Sequence, residues 1–174
     1  MLALSLTLAT ALFGCSGGET AARASAPAAP ATLKEQIAAL EKSGALPALD
    51  RSTDVKGPDA NNNGVRDDIE AWIAALPITD IQKKAAMQKA RGIQMKMTAA
   101  TGDRVALQQA AEYSSIATAC IADSFMPTFQ NGYDLSLKIE ALTANTKERA
   151  LRYAQYNAAR SGSVTSQPEG YACD

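Results

Sequence analysis

The sequence contains no histidine. That absence removes Ser-His-Asp and Cys-His catalysis, imidazole metal ligands and any histidine-based pH switch. Aromatic residues make up only 5% of the chain. No segment alternates cleanly with period two over strand length, so a β-sandwich has neither the residues nor the pattern it needs. Charge of one sign is never concentrated. The 17 basic and 18 acidic residues are interspersed and leave a net charge of −1, which gives no footprint for nucleic acid or for an acidic membrane surface. Long hydrophobic runs are missing too: the N-terminal one, residues 2–13, falls short of the ~20 residues that span a bilayer as a helix.

What that run does fit is the apolar region of a secretory signal. It leads into Leu12-Phe13-Gly14-Cys15, which resembles the lipobox of bacterial lipoproteins. The resemblance implies that residues 1–14 are a signal peptide removed before Cys15, that the Cys15 thiol carries a diacylglyceryl group, and that the new amino terminus is acylated. Two features depart from the family pattern: Phe13 is bulkier than the usual residue, and no Lys or Arg precedes the apolar run, which points either to a true start upstream of Met1 or to a weak leader. The alternative is an ordinary buried helix with Cys15 as a core thiol, although Gly14-Cys15-Ser16-Gly17-Gly18 would break such a helix. Ser16 rather than Asp follows the cysteine. By resemblance the address is the periplasm-facing leaflet of the outer membrane in preference to the inner one, with several acyl chains giving stable anchoring. Residues 16–31 lack large apolar side chains and read as a flexible tether, leaving one domain over residues 32–174.

The strongest chemical signal is Asp59-Ala60-Asn61-Asn62-Asn63-Gly64-Val65-Arg66-Asp67-Asp68-Ile69-Glu70, which satisfies D-x-[DN]-x-[DN]-G-x5-E at every specified position. Calcium takes six to eight oxygens, and this spacing supplies them. Asp59, Asn61 and Asn63 converge as the chain curls, Gly64 makes the sharp turn, Val65 offers its backbone carbonyl, Asp67 ligates directly or through water, and Glu70 closes the site with two oxygens. Asp68 falls outside the ligand positions and suits the first turn of a helix. Ile69, Trp72, Ile73 and Leu76 then give one apolar helix face, ended by Pro77. Before the loop, Pro47, Gly57 and Pro58 exclude the incoming helix of a full EF-hand. The unit therefore resembles the loop-plus-one-helix calcium modules of dockerins and thrombospondin type 3 repeats, over about eighteen residues. Its bland counterpart is an Asn/Gly-rich turn capping a helix.

Elsewhere the periodicity is helical. Thr32 with Glu35 forms a capping box for a short helix using Ile37 and Leu40 and ending near Gly44. Thr79 opens a helix to about Ala99 with Ala86, Ala90, Ile93 and Met97 inward and Lys83, Lys84, Lys89 and Lys96 solvated; Met95 and Met97 read as core filler. Asp103 opens a long helix to about Phe125, striped by Leu107, Ala111, Ser114, Ala117 and Ile121. Pro127 and Asn131-Gly132 read as a loop, Asp134 as the start of a helix using Leu135, Ile139 and Leu142. Asn145 with Glu148 reads as the cap of a last helix carrying Leu151, Ala154 and Ala158. The expected architecture is all-α, a compact bundle of five or six helices with one calcium-loop-plus-helix unit and an irregular C-terminal tail. With Cys15 lipidated, Cys120 and Cys173 remain in an oxidising compartment, and a disulfide pinning the tail is expected; the alternative is a buried free Cys120. Residues 145–149 with Tyr153, Tyr156 and Asn157 form a polar recognition surface, Tyr153, Tyr156 and Arg160 lying close to one helix face, or else the tyrosines bury their rings and wet their hydroxyls.

These readings point to a non-catalytic envelope lipoprotein, stabilised by calcium, that binds a protein or cell-wall partner and no nucleic acid. One alternative is a periplasmic immunity or inhibitor lipoprotein blocking a toxin or hydrolase. Another is a calcium- or carboxylate-dependent enzyme, for which Glu112, Asp123 and Glu140 are available but not placed together by spacing. The order of the C-terminal stretch and its Cys-terminated tail also resemble uncharacterised proteobacterial lipoproteins, a likeness that carries no known activity.

Overall fold

The computed structural model describes residues 32–167 and 169–174; the leader, Cys15 and the tether lie outside them. Among the described residues there are six helices and no strand: α1 (Leu33–Lys42), α2 (Asp67–Ala74), α3 (Asp80–Thr98), α4 (Arg104–Asp123), α5 (Phe129–Thr143) and α6 (Lys147–Ala159). No helix among them is long and apolar enough to cross a membrane.

Local chemistry sets where most of them begin. The Thr32 and Thr79 hydroxyls accept from the amides of Glu35 and Gln82, whose side chains return to the capping residues' own N–H groups, so both capping boxes are closed. Asp103 accepts from the amides of Val105 and Ala106 at the start of α4. Gly44 and Gly162 then follow α1 and α6 with positive φ, as helix stops.

α3 is the hub and packs against α2, α4, α5 and α6. Its inward stripe of Ala85, Ala86 and Ala90 meets Val65, Ile69 and Ile73 from the α2 unit, Ile121 from α4 and Ile139 from α5. Each of those isoleucines is at most 1% exposed, and burying one contributes about 1.5–3 kcal/mol. A second cluster joins Leu107, Ala110 and Tyr156 where α4 meets α6. α1 buries none of its residues.

Four expectations need correction. Asn131-Gly132 lies inside α5 rather than in a loop. Gly132 is there for proximity: a Cβ on it would stand 2.5 Å from the Ile121 carbonyl oxygen of α4. Thr146, not Asn145, caps α6, because the Asn145 amide is spent on the Asp50 carbonyl and the Arg149 guanidinium. α6 also docks through a different face: Leu151, Ala154 and Ala158 are exposed, while Arg149 and Tyr156 are buried. Likewise, Lys89 is buried rather than solvated.

The disulfide between Cys120 and Cys173 is present and spans 53 residues. It holds the tail along α4, where Tyr171 donates to Asp123 at 2.6 Å and Asp174 pairs with Arg91.

Candidate metal centre

The loop of residues 59–70 is built from the chain's own turn chemistry. Asn62 and Gly64 both take positive φ, 55° and 80°, conformations that asparagine tolerates and glycine adopts freely. The curl is fixed by side chains accepting from the backbone just ahead of them. Asp59 takes the amides of Asn63 and Gly64 at 3.1 and 3.0 Å, Asn61 Oδ1 takes the Asn63 amide at 3.1 Å, and Asn63 Oδ1 takes the Val65 amide at 2.8 Å. Glu70 closes the ring from α2: its Oε2 receives the side-chain amides of both Asn61 and Asn63, each at 3.1 Å.

Asn61 and Asn63 thus meet Glu70 through their side-chain amides, while Asp59 holds the backbone of the curl. Asp67 opens α2 with Oδ1 accepting from the Ala60 amide at 3.0 Å, so it spans the loop from the far side. Val65 is 1% exposed and plants its side chain in the core, fastening the loop to the bundle. Among the described residues no three carboxylate or thiol side chains gather closely enough to hold a metal ion by themselves. What this loop carries is a mixed set of carboxylate and side-chain amide groups, the amide nitrogens of Asn61 and Asn63 turned to Glu70 and their oxygens to the backbone amides of Asn63 and Val65.

That mixed set is chemically suited to a hard cation. A carbonyl or carboxylate oxygen has lone pairs left after one hydrogen bond, so the oxygens of Asp59, Asn61 and Asn63 keep acceptor capacity while they hold the curl. The two amide N–H groups on Glu70 Oε2 stand in for the positive charge that a bound cation would present to that carboxylate.

The surroundings contain two buried arginines, Arg66, which sequence reasoning missed, and Arg149, which it placed in a candidate recognition surface. Arg66, inside the loop, is fully buried. Its guanidinium pairs with Asp68 at 2.5 and 2.9 Å and donates to the carbonyls of Thr143 and Leu142 at 3.1 and 3.3 Å. Those carbonyls end α5, where a cation meets both unpaired acceptors and the negative end of the helix dipole. Asp68 in turn accepts from the Asp50 amide at 2.6 Å, so it anchors the chain ahead of the loop as well as sitting in the first turn of α2.

Arg149 on α6 is also fully buried. It donates to the carbonyls of Asp50 at 2.7 Å, Asp54 at 2.8 Å and Val55 at 3.3 Å, and it pairs with the Asp50 carboxylate. That pairing holds the Asp50 carboxyl well below the usual range, at about 2, against an opposing effect of burial. Gln94 adds a bond to the Lys56 carbonyl at 2.7 Å. Gly57 makes room for both arginines: a Cβ there would stand 2.4 Å from Arg66 Cδ and 2.9 Å from Arg149 Nη2. The signal that could have found them is an accounting one, since an irregular segment laid on a core must satisfy its carbonyls from somewhere.

The loop is tied to the tail as well. Arg91 of α3 donates Nε to the Asn63 carbonyl at 2.7 Å and Nη1 to the Tyr113 hydroxyl at 2.8 Å, and it pairs with Asp174. The three carboxylates considered for catalysis do not meet one another. Glu112 accepts from Gln108, Asp123 accepts from Tyr171, and Glu140 lies among Lys89, Lys96 and Tyr153.

Comparison with known proteins returns no match: no family model, no curated protein and no solved structure matches the chain.

Proposed function

We propose that the chain is a non-catalytic, lipid-anchored protein of the cell envelope, whose helical domain is stabilised by calcium in the loop of residues 59–70 and presents a surface to a protein or cell-wall partner. The reading is carried by the closed curl of the loop, in which Asp59 takes the amides of Asn63 and Gly64 and Glu70 takes the side-chain amides of Asn61 and Asn63. Asp59, Asn61, Asn63 and Glu70, with Asp67 and the Val65 carbonyl by their positions, would hold the ion. The metal would supply positive charge at the join between the irregular segment and α2, a structural part. With Asn at two ligand positions the formal ligand charge is low, which suits an affinity of about 10⁻⁵–10⁻³ M.

The anchor rests on the lipobox of residues 12–15, and the oxidised Cys120–Cys173 pair suits an export compartment. A partner surface is supported on α5, where Phe129, Tyr133 and Leu137 recur every four residues and are exposed, with exposed Met126 just before them.

The test is the melting temperature of the full-length protein, first in chelator and then across a calcium series. Stabilisation should reach about 2.7 kcal/mol at a hundredfold excess over Kd, and Glu70→Ala should remove most of it. An unchanged melt at several millimolar calcium would reduce residues 59–70 to a capping turn.

A further inference from the structure

A second feature owes nothing to the calcium loop. Between α4, the C-terminal end of α6 and the tail lies a groove of about 570 Å³, with Lys96, Ser115, Thr118, Tyr156, Arg160 and Thr165 among its walls. The described residues that line it include two cations and no acid. In a chain whose net charge is −1, that is a local imbalance and not a reflection of composition.

Neither cation forms an ion pair among the described residues, and the one acid whose charge reaches Lys96, Glu140, stands outside the groove lining. Lys96 reaches over the rings of Tyr153 and Tyr156, 5.8 Å from each centroid, and forms no ion pair or hydrogen bond among the described residues. Burial pushes its ammonium below the usual lysine range, with Glu140 the opposing influence. Arg160 donates only to neutral acceptors: Gln108 Oε1 at 2.6 Å, Thr165 Oγ1 at 2.8 Å and the Val164 carbonyl at 3.4 Å. A third cation backs the wall, for buried Lys89 donates to Thr118 Oγ1 at 2.9 Å. Ser114 lines the groove too, and its hydroxyl is buried without a hydrogen-bond partner among the described residues. An excess of positive charge in a concave, partly desolvated site attracts small ions of the opposite sign. Ala111, Ala119 and Ala122 add an apolar strip beside the polar lining, which favours a ligand with a short apolar body over a bare ion.

We propose that this groove binds a small organic oxyanion, its carboxylate or phosphate held by Lys96 and Arg160 and by the hydroxyls of the α4 and tail walls. The shared chemistry is an oxyanion on a short carbon body, and succinate and glycerol 3-phosphate probe its two sources.

The experiment follows amide resonances of the full-length protein at constant ionic strength in chelator, so that metal binding by residues 59–70 plays no part. Succinate, glycerol 3-phosphate and inorganic phosphate are added in turn. Saturable shifts confined to residues around Ser115, Thr118, Ser163 and Thr165 are expected with at least one organic anion, which also identifies the oxyanion. Lys96→Met should weaken that binding tenfold or more, Arg160→Gln should weaken it several-fold, and Lys84→Met, on the exposed side of α3, should leave it unchanged. In the unsubstituted protein the bound anion should also return the Lys96 titration toward the ordinary lysine range, a readout independent of whether a variant folds. Shifts that stay linear to tens of millimolar, equal binding by Lys96→Met, or an unmoved Lys96 titration would each overturn the proposal.

Discussion

At the scale of single residues, the arginines at 66 and 149 do what regular structure does elsewhere. Residues 46–58 form no helix or strand, so their carbonyls are met by side chains reaching from α3 and α6. Because Arg149 is fully buried, its Asp50 partner matters beyond the worth of a surface ion pair. Asp50→Asn should lower stability at neutral pH by about 1–3 kcal/mol, the usual cost of weakening a charged hydrogen bond. The Asp50 carboxyl is depressed from 3.8 to about 2, so its contribution is complete above about pH 4 and is lost as the pH falls through the folded value. Unfolding both proteins across the acid range should show the gap between them closing below pH 4; a constant gap would show that the charge on Asp50 is not what stabilises. The curl of the loop was legible because that spacing is local chain chemistry. The two arginines were not, since Arg149 meets partners 94 to 99 residues away and neither residue's sequence neighbours advertise burial.

At the scale of elements, what a few neighbouring residues decide was readable and what tertiary contact decides was not. The capping boxes at Thr32 and Thr79 and the Asp103 cap depend on three or four residues each. The start of α5 depends on α4 instead. Asn-Gly is a strong turn signal, yet here Gly132 lets two helix backbones approach so closely that no side chain fits. α6 was read by its aliphatic stripe, Leu151, Ala154 and Ala158, while the residues that bury, Arg149 and Tyr156, are the ones with hydrogen bonds to make in the interior. Gly132→Ala separates the two influences. Helix propensity alone would make it stabilising by up to about 1 kcal/mol. The contact at the Ile121 carbonyl should reverse that sign and give a net loss of about 1–3 kcal/mol, read as a lower urea midpoint. A raised midpoint would mean that α4 and α5 do not come this close.

At the scale of the whole molecule, the all-α class and the Cys120–Cys173 bond followed from composition, periodicity and a count of cysteines, because each is a global property that few alternatives satisfy. Closing a loop across 53 residues should contribute about 4 kcal/mol in the chain-entropy description. Cys173→Ser should therefore lower the denaturant midpoint markedly; an unchanged midpoint would mean that the tail adds nothing to the fold. The irregular segment of residues 46–58 has a further consequence, for digestion. Protease cleavage ordinarily concentrates in exposed loop tips, and by sequence this stretch, with its prolines and glycine, resembles one. To lie extended in a protease cleft it would have to surrender the bonds that Arg149 and Gln94 make to four of its carbonyls. Those donors belong to two different helices of the bundle. A nick in this segment would thus record the opening of the bundle itself, and the part of the chain that looks most like a linker would be cut no sooner than the core around it comes apart.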